Sequence, residues 1–153
     1  MILRTHYLEQ IRPFIDSDLI KILTGIRRSG KSTIMQQLRD EVAEKSDNII
    51  YLEFESRRTR IELPDIDTII KYIDERRKDG KCYIFLDEVQ EIENWHELCQ
   101  TLRLENNSVF ITGSNSKLLS SEFTKLLSGR YVAFRIRPFV YRELDEYAKQ
   151  LGK

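Results

Sequence analysis

The segment Gly25-Ile26-Arg27-Arg28-Ser29-Gly30-Lys31-Ser32-Thr33 has the spacing of a phosphate-cradling loop. Such a loop leaves backbone N–H groups pointing inward, and together with the positive end of the following helix they bind a polyphosphate. Glycine serves here because a Cβ would block the close approach of backbone to phosphate. On this pattern Gly25, Arg28, Ser29, Gly30, Lys31, Ser32 and Thr33 are the candidate nucleotide contacts. Lys31 would place a point charge on the β and γ phosphates, and the Ser32 hydroxyl would complete the coordination of a Mg²⁺ that bridges them. Arg27 and Arg28 occupy variable positions of the loop, whose side chains can face the phosphate or point away from it.

A second constellation lies at Cys82-Tyr83-Ile84-Phe85-Leu86-Asp87-Glu88, an apolar run that ends in two acids. Any buried strand must leave its core into polar solvent, so an acidic pair in that place is weak on its own. Downstream of a phosphate loop it reads as a Walker B segment. Asp87 would then hold Mg²⁺ together with Ser32, and Glu88 would orient and polarise the water that attacks the γ phosphate.

These groups need a scaffold that brings them together. The apolar run Leu19 to Leu23 precedes the loop, and Ile34, Met35, Leu38 and Val42 recur at helical spacing after it. Tyr7 to Ile15 reads as a short helix limited by Pro13. Asn48 to Phe54 is a near-continuous apolar run, as in a parallel strand covered on both faces. A polar stretch through Arg60 follows it; Pro64 and Asp65 then open a helix on Ile66, Ile69, Ile70 and Ile73, which Gly80 is placed to end. After the strand from Cys82 to Leu86, Asn94 and Glu97 have the spacing of a capping box for a helix carrying Trp95, Leu98, Cys99 and Leu102. Val109 to Thr112 makes a fourth strand, Leu119, Phe123, Leu126 and Leu127 a helix stopped by Gly129, and Val132, Phe134 and Ile136 a fifth strand closed by Pro138. Leu144, Tyr147, Ala148 and Leu151 suggest a last helix. Strands alternating with helices at these intervals predict a three-layer α/β/α sandwich around a five-stranded parallel sheet, with ligands at the carboxyl ends of the strands.

Asp87 and Glu88 fall on the second strand after the loop strand, which resembles the P-loop NTPase class with an additional catalytic glutamate, in which a further strand inserts between those two. In that class the inserted strand carries a polar sensor. Here Val109-Phe110-Ile111-Thr112-Gly113-Ser114-Asn115 fits, with Asn115 the first candidate and Ser114 the runner-up for contacting the attacking water or the γ phosphate; Asn115 could instead only cap the helix that follows. The resemblance widens through Tyr7-Leu8-Glu9, Leu23 to Ser32, Phe85-Leu86-Asp87-Glu88-Val89-Gln90, Ile111 to Asn115, Leu127-Ser128-Gly129-Arg130-Tyr131 and Arg137-Pro138-Phe139. Together these are similar to a prokaryotic AAA-like ATPase family, from the N-terminus to about Glu143. Its members usually join this core to a C-terminal domain. The resemblance implies ATP and Mg²⁺ as ligands, ATP hydrolysis to ADP and phosphate, and coupling to a conformational change in an attached or partner domain. Arg130 follows the helix after the sensor strand, where related AAA+ ATPases present an arginine finger to the nucleotide of a neighbouring subunit, so a homo-oligomer with Arg130 acting in trans is one expectation; pairing with the carbonyls of the helix end is the other. Lys31, Glu88, Asn115 and Arg130 are thus the candidate catalytic residues, and Ser32 and Asp87 the metal ligands. The chain stops at Lys153, soon after its last expected helix. Residues 1–153 are therefore expected to be a single ATPase core cut before its C-terminal domain, which leaves turnover by the short form open.

Size and charge agree with one core. At 153 residues one domain with a substantial interior is expected, and 25 basic against 25 acidic residues give no bulk footprint for nucleic acid or membrane. No apolar run approaches a bilayer span and no signal-peptide order opens the chain, so a cytoplasmic location is the simplest expectation. The two cysteines, Cys82 and Cys99, lie in apolar stretches and read as buried free thiols, while His6 and His96 fit no zinc pattern. No Asn-Lys-x-Asp guanine-reading segment follows the fourth strand, which favours ATP. Two other functions stay open: a kinase acting on a small molecule, and a nucleotide-switched regulatory or DNA-binding module using Arg57, Arg58 and Arg60 with Arg76, Arg77 and Lys78. Such basic runs are more often solvated surface.

Overall fold

Five parallel strands, β1 (Ile20–Thr24), β2 (Ile49–Glu53), β3 (Cys82–Asp87), β4 (Asn107–Gly113) and β5 (Tyr131–Arg135), form one sheet in the order β2-β3-β4-β1-β5. This is a computed structural model, which describes residues 5–26, 29–118, 125–127 and 129–138. The strand that follows β3 in the chain, β4, lies between β1 and β3, as expected for the class with an additional glutamate. Its neighbours on either side are fixed by parallel registers that pair Lys21 with Phe110 and Phe85 with Phe110.

The strands alternate their side chains between two interiors. On one face α1 (Thr5–Ile11) and α2 (Lys31–Ala43) pack through Leu8, Ile11, Ile34, Met35, Leu38 and Val42 onto Leu23, Phe85 and Phe110. Beneath α2 the rings of Tyr51, Phe85 and Phe110 stack in a row across three strands, with centroids 5.7 and 4.5 Å apart. On the other face α4 (Ile66–Arg76) and α5 (Trp95–Leu104) bring Ile69, Ile73, Trp95, Leu98, Cys99 and Leu102 onto Ile22, Ile84, Leu86, Val109 and Ile111. Each such side chain contributes roughly 1.5–3 kcal/mol on burial, which is why the strands covered on both faces are mostly apolar. Cys82 and Cys99 are buried free thiols.

Several local expectations need correction. The polar stretch after β2 contains a short helix, α3 (Arg57–Glu62), capped by Ser56, whose Oγ accepts from the N–H of Thr59 at 3.5 Å. Helix α4 begins at the Asp65 cap but ends at Arg76, before Gly80; the following residue, Arg77, is already extended. Gly80, at φ 87°, instead makes the turn into β3, and the Arg77 guanidinium donates to its carbonyl at 2.7 Å. Asn94 does not form a capping box: it sits in the left-handed region at φ 59° without a side-chain cap, and its carbonyl receives the N–H of Glu97. Strand β4 starts at Asn107, two residues before its apolar run, because the Asn107 amide donates to the Leu102 carbonyl and Ser108 is satisfied inside the core. Of the helix expected around Leu119 to Leu127, residues 119–124 lie outside the described residues; Leu127 is buried and Gly129 follows at φ 69°. The expected helix on Leu144 to Leu151 lies wholly outside them.

Candidate nucleotide site

Strand β1 delivers the chain to Gly25, where an added Cβ would collide with the Ile136 carbonyl and with Ser29. The residue after β5 therefore approaches Gly25 so closely that only glycine fits there. Gly30 takes φ 92°, which glycine adopts without strain, and acts as the cap of α2. The first turn of α2 holds Lys31, Ser32 and Thr33, whose N–H groups have no intrahelical acceptor. Ser29 is buried beside them, while Arg28 lies outside the described residues.

Strand β3 brings its acids to the same end of the sheet. Ser32 Oγ donates to Asp87 Oδ1 at 3.1 Å, and Lys31 Nζ lies 3.1 Å from Glu88 Oε1. Lys31 and Asp87 are both buried, each 6% exposed. Burial raises the Asp87 carboxyl above the usual carboxylate range, and the neighbouring Glu88 adds to this. Hydrogen bonds from Thr112 and Ser32 and the charge of Lys31 act against it. A cation beside a buried carboxylate favours its charged form and so opposes the effect of burial.

Two residues without a role assigned from sequence complete the arrangement. Thr112, next to last on β4, donates its hydroxyl to Asp87 Oδ1 and accepts the Glu88 N–H at 2.8 Å. Gln90 donates its amide to Glu88 Oε2 at 2.5 Å. The available signal for Thr112 was a hydroxyl near the end of an otherwise apolar strand, and for Gln90 its place two residues after Glu88; both fall in segments that carry the family resemblance. A cleft of about 470 Å³ opens over these groups, lined among others by Gly25, Lys31, Glu88, Gln90, Ser114 and Lys117. Ser114 thus reaches the cleft, whereas the side chain of Asn115, at the start of α6 (Asn115–Leu118), lies outside the described residues.

The structure does not bring Arg130 to this site. Its carbonyl receives the N–H of Ile20 at 3.0 Å, at the amino end of β1, so it stands a strand's length from Gly25 and is exposed. The basic clusters are also divided. Arg60 donates to the carbonyls of Phe54 and Glu55 at 2.6 and 2.8 Å, Arg77 to Asn107 at 2.8 Å, and Lys78 pairs with Asp47 at 2.6 Å; Arg57 and Arg58 are exposed.

Ser32 and Asp87 offer hard oxygen donors already within hydrogen-bond distance of each other, a set that fits Mg²⁺. Among the described residues no three His, Cys, Asp or Glu side chains gather to hold a metal.

A parallel sheet of this order, with a phosphate loop after β1 and paired acids after β3, defines a P-loop NTPase domain. The AAA domain family matches residues 17–145, and the chain belongs to that family of nucleotide-binding domains. It is 41% identical over 149 residues to an uncharacterized protein of Haemophilus influenzae, covering 94% of this chain and 37% of that protein. An uncharacterized protein of Methanocaldococcus jannaschii is 35% identical over 129 residues, covering 84% of this chain and 28% of that one. The chain therefore spans about a third of the length of these curated relatives. Among solved structures, AMPPCP-bound DnaA from Aquifex aeolicus superposes with a TM-score of 0.64 at 17% identity, over 97% of this chain and 50% of that one, a likeness of fold. Among the described residues no helix is long and apolar enough to cross a membrane.

Proposed function

We propose that this domain binds ATP with Mg²⁺ and hydrolyses it to ADP and phosphate, driving a conformational change in an attached or partner domain. The observation that carries this is the meeting of α2 and the end of β3: Ser32 with Asp87 and Lys31 with Glu88, both at 3.1 Å, beside a Gly25 position with no room for a Cβ. The N–H groups of the first turn of α2 and the Lys31 ammonium bind the phosphates. Ser32 and Asp87 would hold Mg²⁺, which would supply neutralisation of phosphate charge. Glu88 takes a proton from water as the water oxygen bonds to the γ phosphorus; the bond from that phosphorus to the bridging oxygen breaks, and ADP leaves. Ser114, on the wall of the cleft, is the sensor candidate within the described residues, with Asn115 beside it in sequence.

Arg130 stands at the opposite end of the sheet, which leaves the site of a second copy as the one where the proposed finger could act. The greater length of the relatives supports an attached domain as the recipient of the motion. Calorimetry with MgATP and MgADP, alongside phosphate release, tests the assignment. Saturable binding is expected, together with retained binding and at least about 100-fold slower release in Glu88→Gln. No heat with either nucleotide would sink it.

A further inference from the structure

Both carboxylate oxygens of Glu88 are held. Lys31 Nζ lies 3.1 Å from Oε1, and the Gln90 amide donates to Oε2 at 2.5 Å. The backbone of Glu88 is unusual as well: at φ 55° and ψ 49° it occupies the left-handed region, which costs free energy in a residue with a Cβ. Its surroundings must repay that cost, and its N–H does so in part by donating to Thr112.

Gln90 follows within the short 3₁₀ turn Val89–Glu91. Its Oε1 packs into the space that a Gly113 side chain would otherwise fill. That oxygen is buried and has no hydrogen-bond partner among the described residues. Exchanging the two ends of the amide would set oxygen against carboxylate, so Glu88 dictates the orientation and Gln90 leaves one carbonyl unsatisfied to keep it. A residue needed only for packing would be more stable there as an apolar side chain.

We propose that Gln90 is the positioning residue of Glu88: it fixes one carboxylate oxygen, so that the other pairs with Lys31 and turns to the cleft when phosphate takes the lysine. This rests on the phosphate-binding role of Lys31 proposed above. Phosphate arriving at Lys31 must replace Glu88 Oε1 as its counter-ion, and Gln90 sets how firmly that carboxylate competes. Because Oε2 stays with Gln90, Glu88 keeps its place while it changes partner.

The test is a double-mutant cycle on MgADP affinity by calorimetry, which requires no turnover. Gln90→Met, unbranched and close in volume, is expected to tighten MgADP binding about threefold by loosening Glu88 from Lys31, and to leave affinity unchanged in a Glu88→Ala background. Should the methionine variant not fold, Gln90→Ala asks for no repacking against Gly113 and serves in its place. A packing role would give the same change in both backgrounds. That result, or equal affinity of Gln90→Met and the parent chain, overturns the proposal while leaving nucleotide binding intact. Absence of binding in every variant overturns the nucleotide assignment and this inference with it.

Discussion

The two ends of the sheet each bury a lysine, one enclosed in the core and the other on the wall of a cleft. At the amino end Lys21 is fully buried; its ammonium donates to the Ser17 carbonyl at 2.8 Å and to Ser108 Oγ at 2.9 Å, and lies 4.7 Å from the centre of the Phe110 ring. At the carboxyl end Lys31 pairs with Glu88 on the wall of a cleft. The hydroxyls Ser108 and Thr112 stand on the same face of β4, separated by the ring of Phe110. The difference lies in the partners. Lys21 is satisfied by neutral groups within the core, which a ligand cannot displace. Lys31 is satisfied by a carboxylate, for which a phosphate can substitute without leaving the ammonium unpaired.

Substituting each lysine in turn should separate the two ends most sharply. Lys31→Ala removes the charge that meets phosphate, and MgATP affinity is expected to fall at least about 100-fold, or roughly 3 kcal/mol. Lys21→Met should leave that affinity within about twofold, since its ammonium lies at the far end of the strands. Titration calorimetry on both variants checks this; a comparable loss in Lys21→Met would show that the two ends are coupled.

The same pair predicts a pH effect that belongs to the amino end. Burial lowers the pKa of Lys21 from its ordinary 10.5 to about 7, with Lys81 acting in the same direction and Asp16 and Asp18 opposing. Between those values the unfolded chain binds the proton that the folded chain has lost, so this group makes stability rise with pH. Full titration of one such group changes stability by about 1.4 kcal/mol per pH unit, so a slope near 1 kcal/mol per unit is expected from about pH 7 to about pH 8.5. Above that range Cys82 and Cys99, both raised from 9.0 by burial, oppose the trend, because unfolding frees thiols that then ionise. Urea denaturation of the parent and of Lys21→Met measures the difference, and equal slopes would remove Lys21 as the cause.

The carboxyl end was far more legible in sequence than the amino end. Gly25, Gly30, Lys31, Ser32, Asp87 and Glu88 are the residue types that the proposed phosphate and Mg²⁺ site calls for, and the resemblance to the class with an additional glutamate implied that β4 inserts between β1 and β3, where the sheet has it. Thr112 escaped because its role exists only once β4 lies beside β3, and Gln90 because its amide reaches Glu88 only through the left-handed backbone at Glu88 and the turn that follows. Lys21 escaped for the opposite reason: a polar residue inside an apolar run looks like an exposed position until Ser17, Ser108 and Phe110 are folded around it. Gly80 and Asn94 misled because a glycine or an asparagine near a helix end has several uses. Their φ values of 87° and 59° serve turns outside the helices.

The smallest contrast falls on the two hydroxyls of β4. Thr112 joins Asp87 to the backbone of Glu88, and Ser108 joins Lys21 to the Ile15 carbonyl. Thr112→Val preserves shape but strands a buried N–H and removes a donor from Asp87; Ser108→Ala strands the Ile15 carbonyl and takes an acceptor from Lys21. Each should cost about 1–2 kcal/mol of stability, as expected when a buried partner is removed. Only Thr112→Val should also weaken MgATP binding, by several-fold, because Asp87 and Glu88 both lose their fixed positions while Lys31 and the loop stay intact. Paired denaturation and calorimetry read the two effects separately. If Ser108→Ala weakens nucleotide binding as much as Thr112→Val does, the ring of Phe110 does not insulate the ends, and the polar groups of β4 act as a single network.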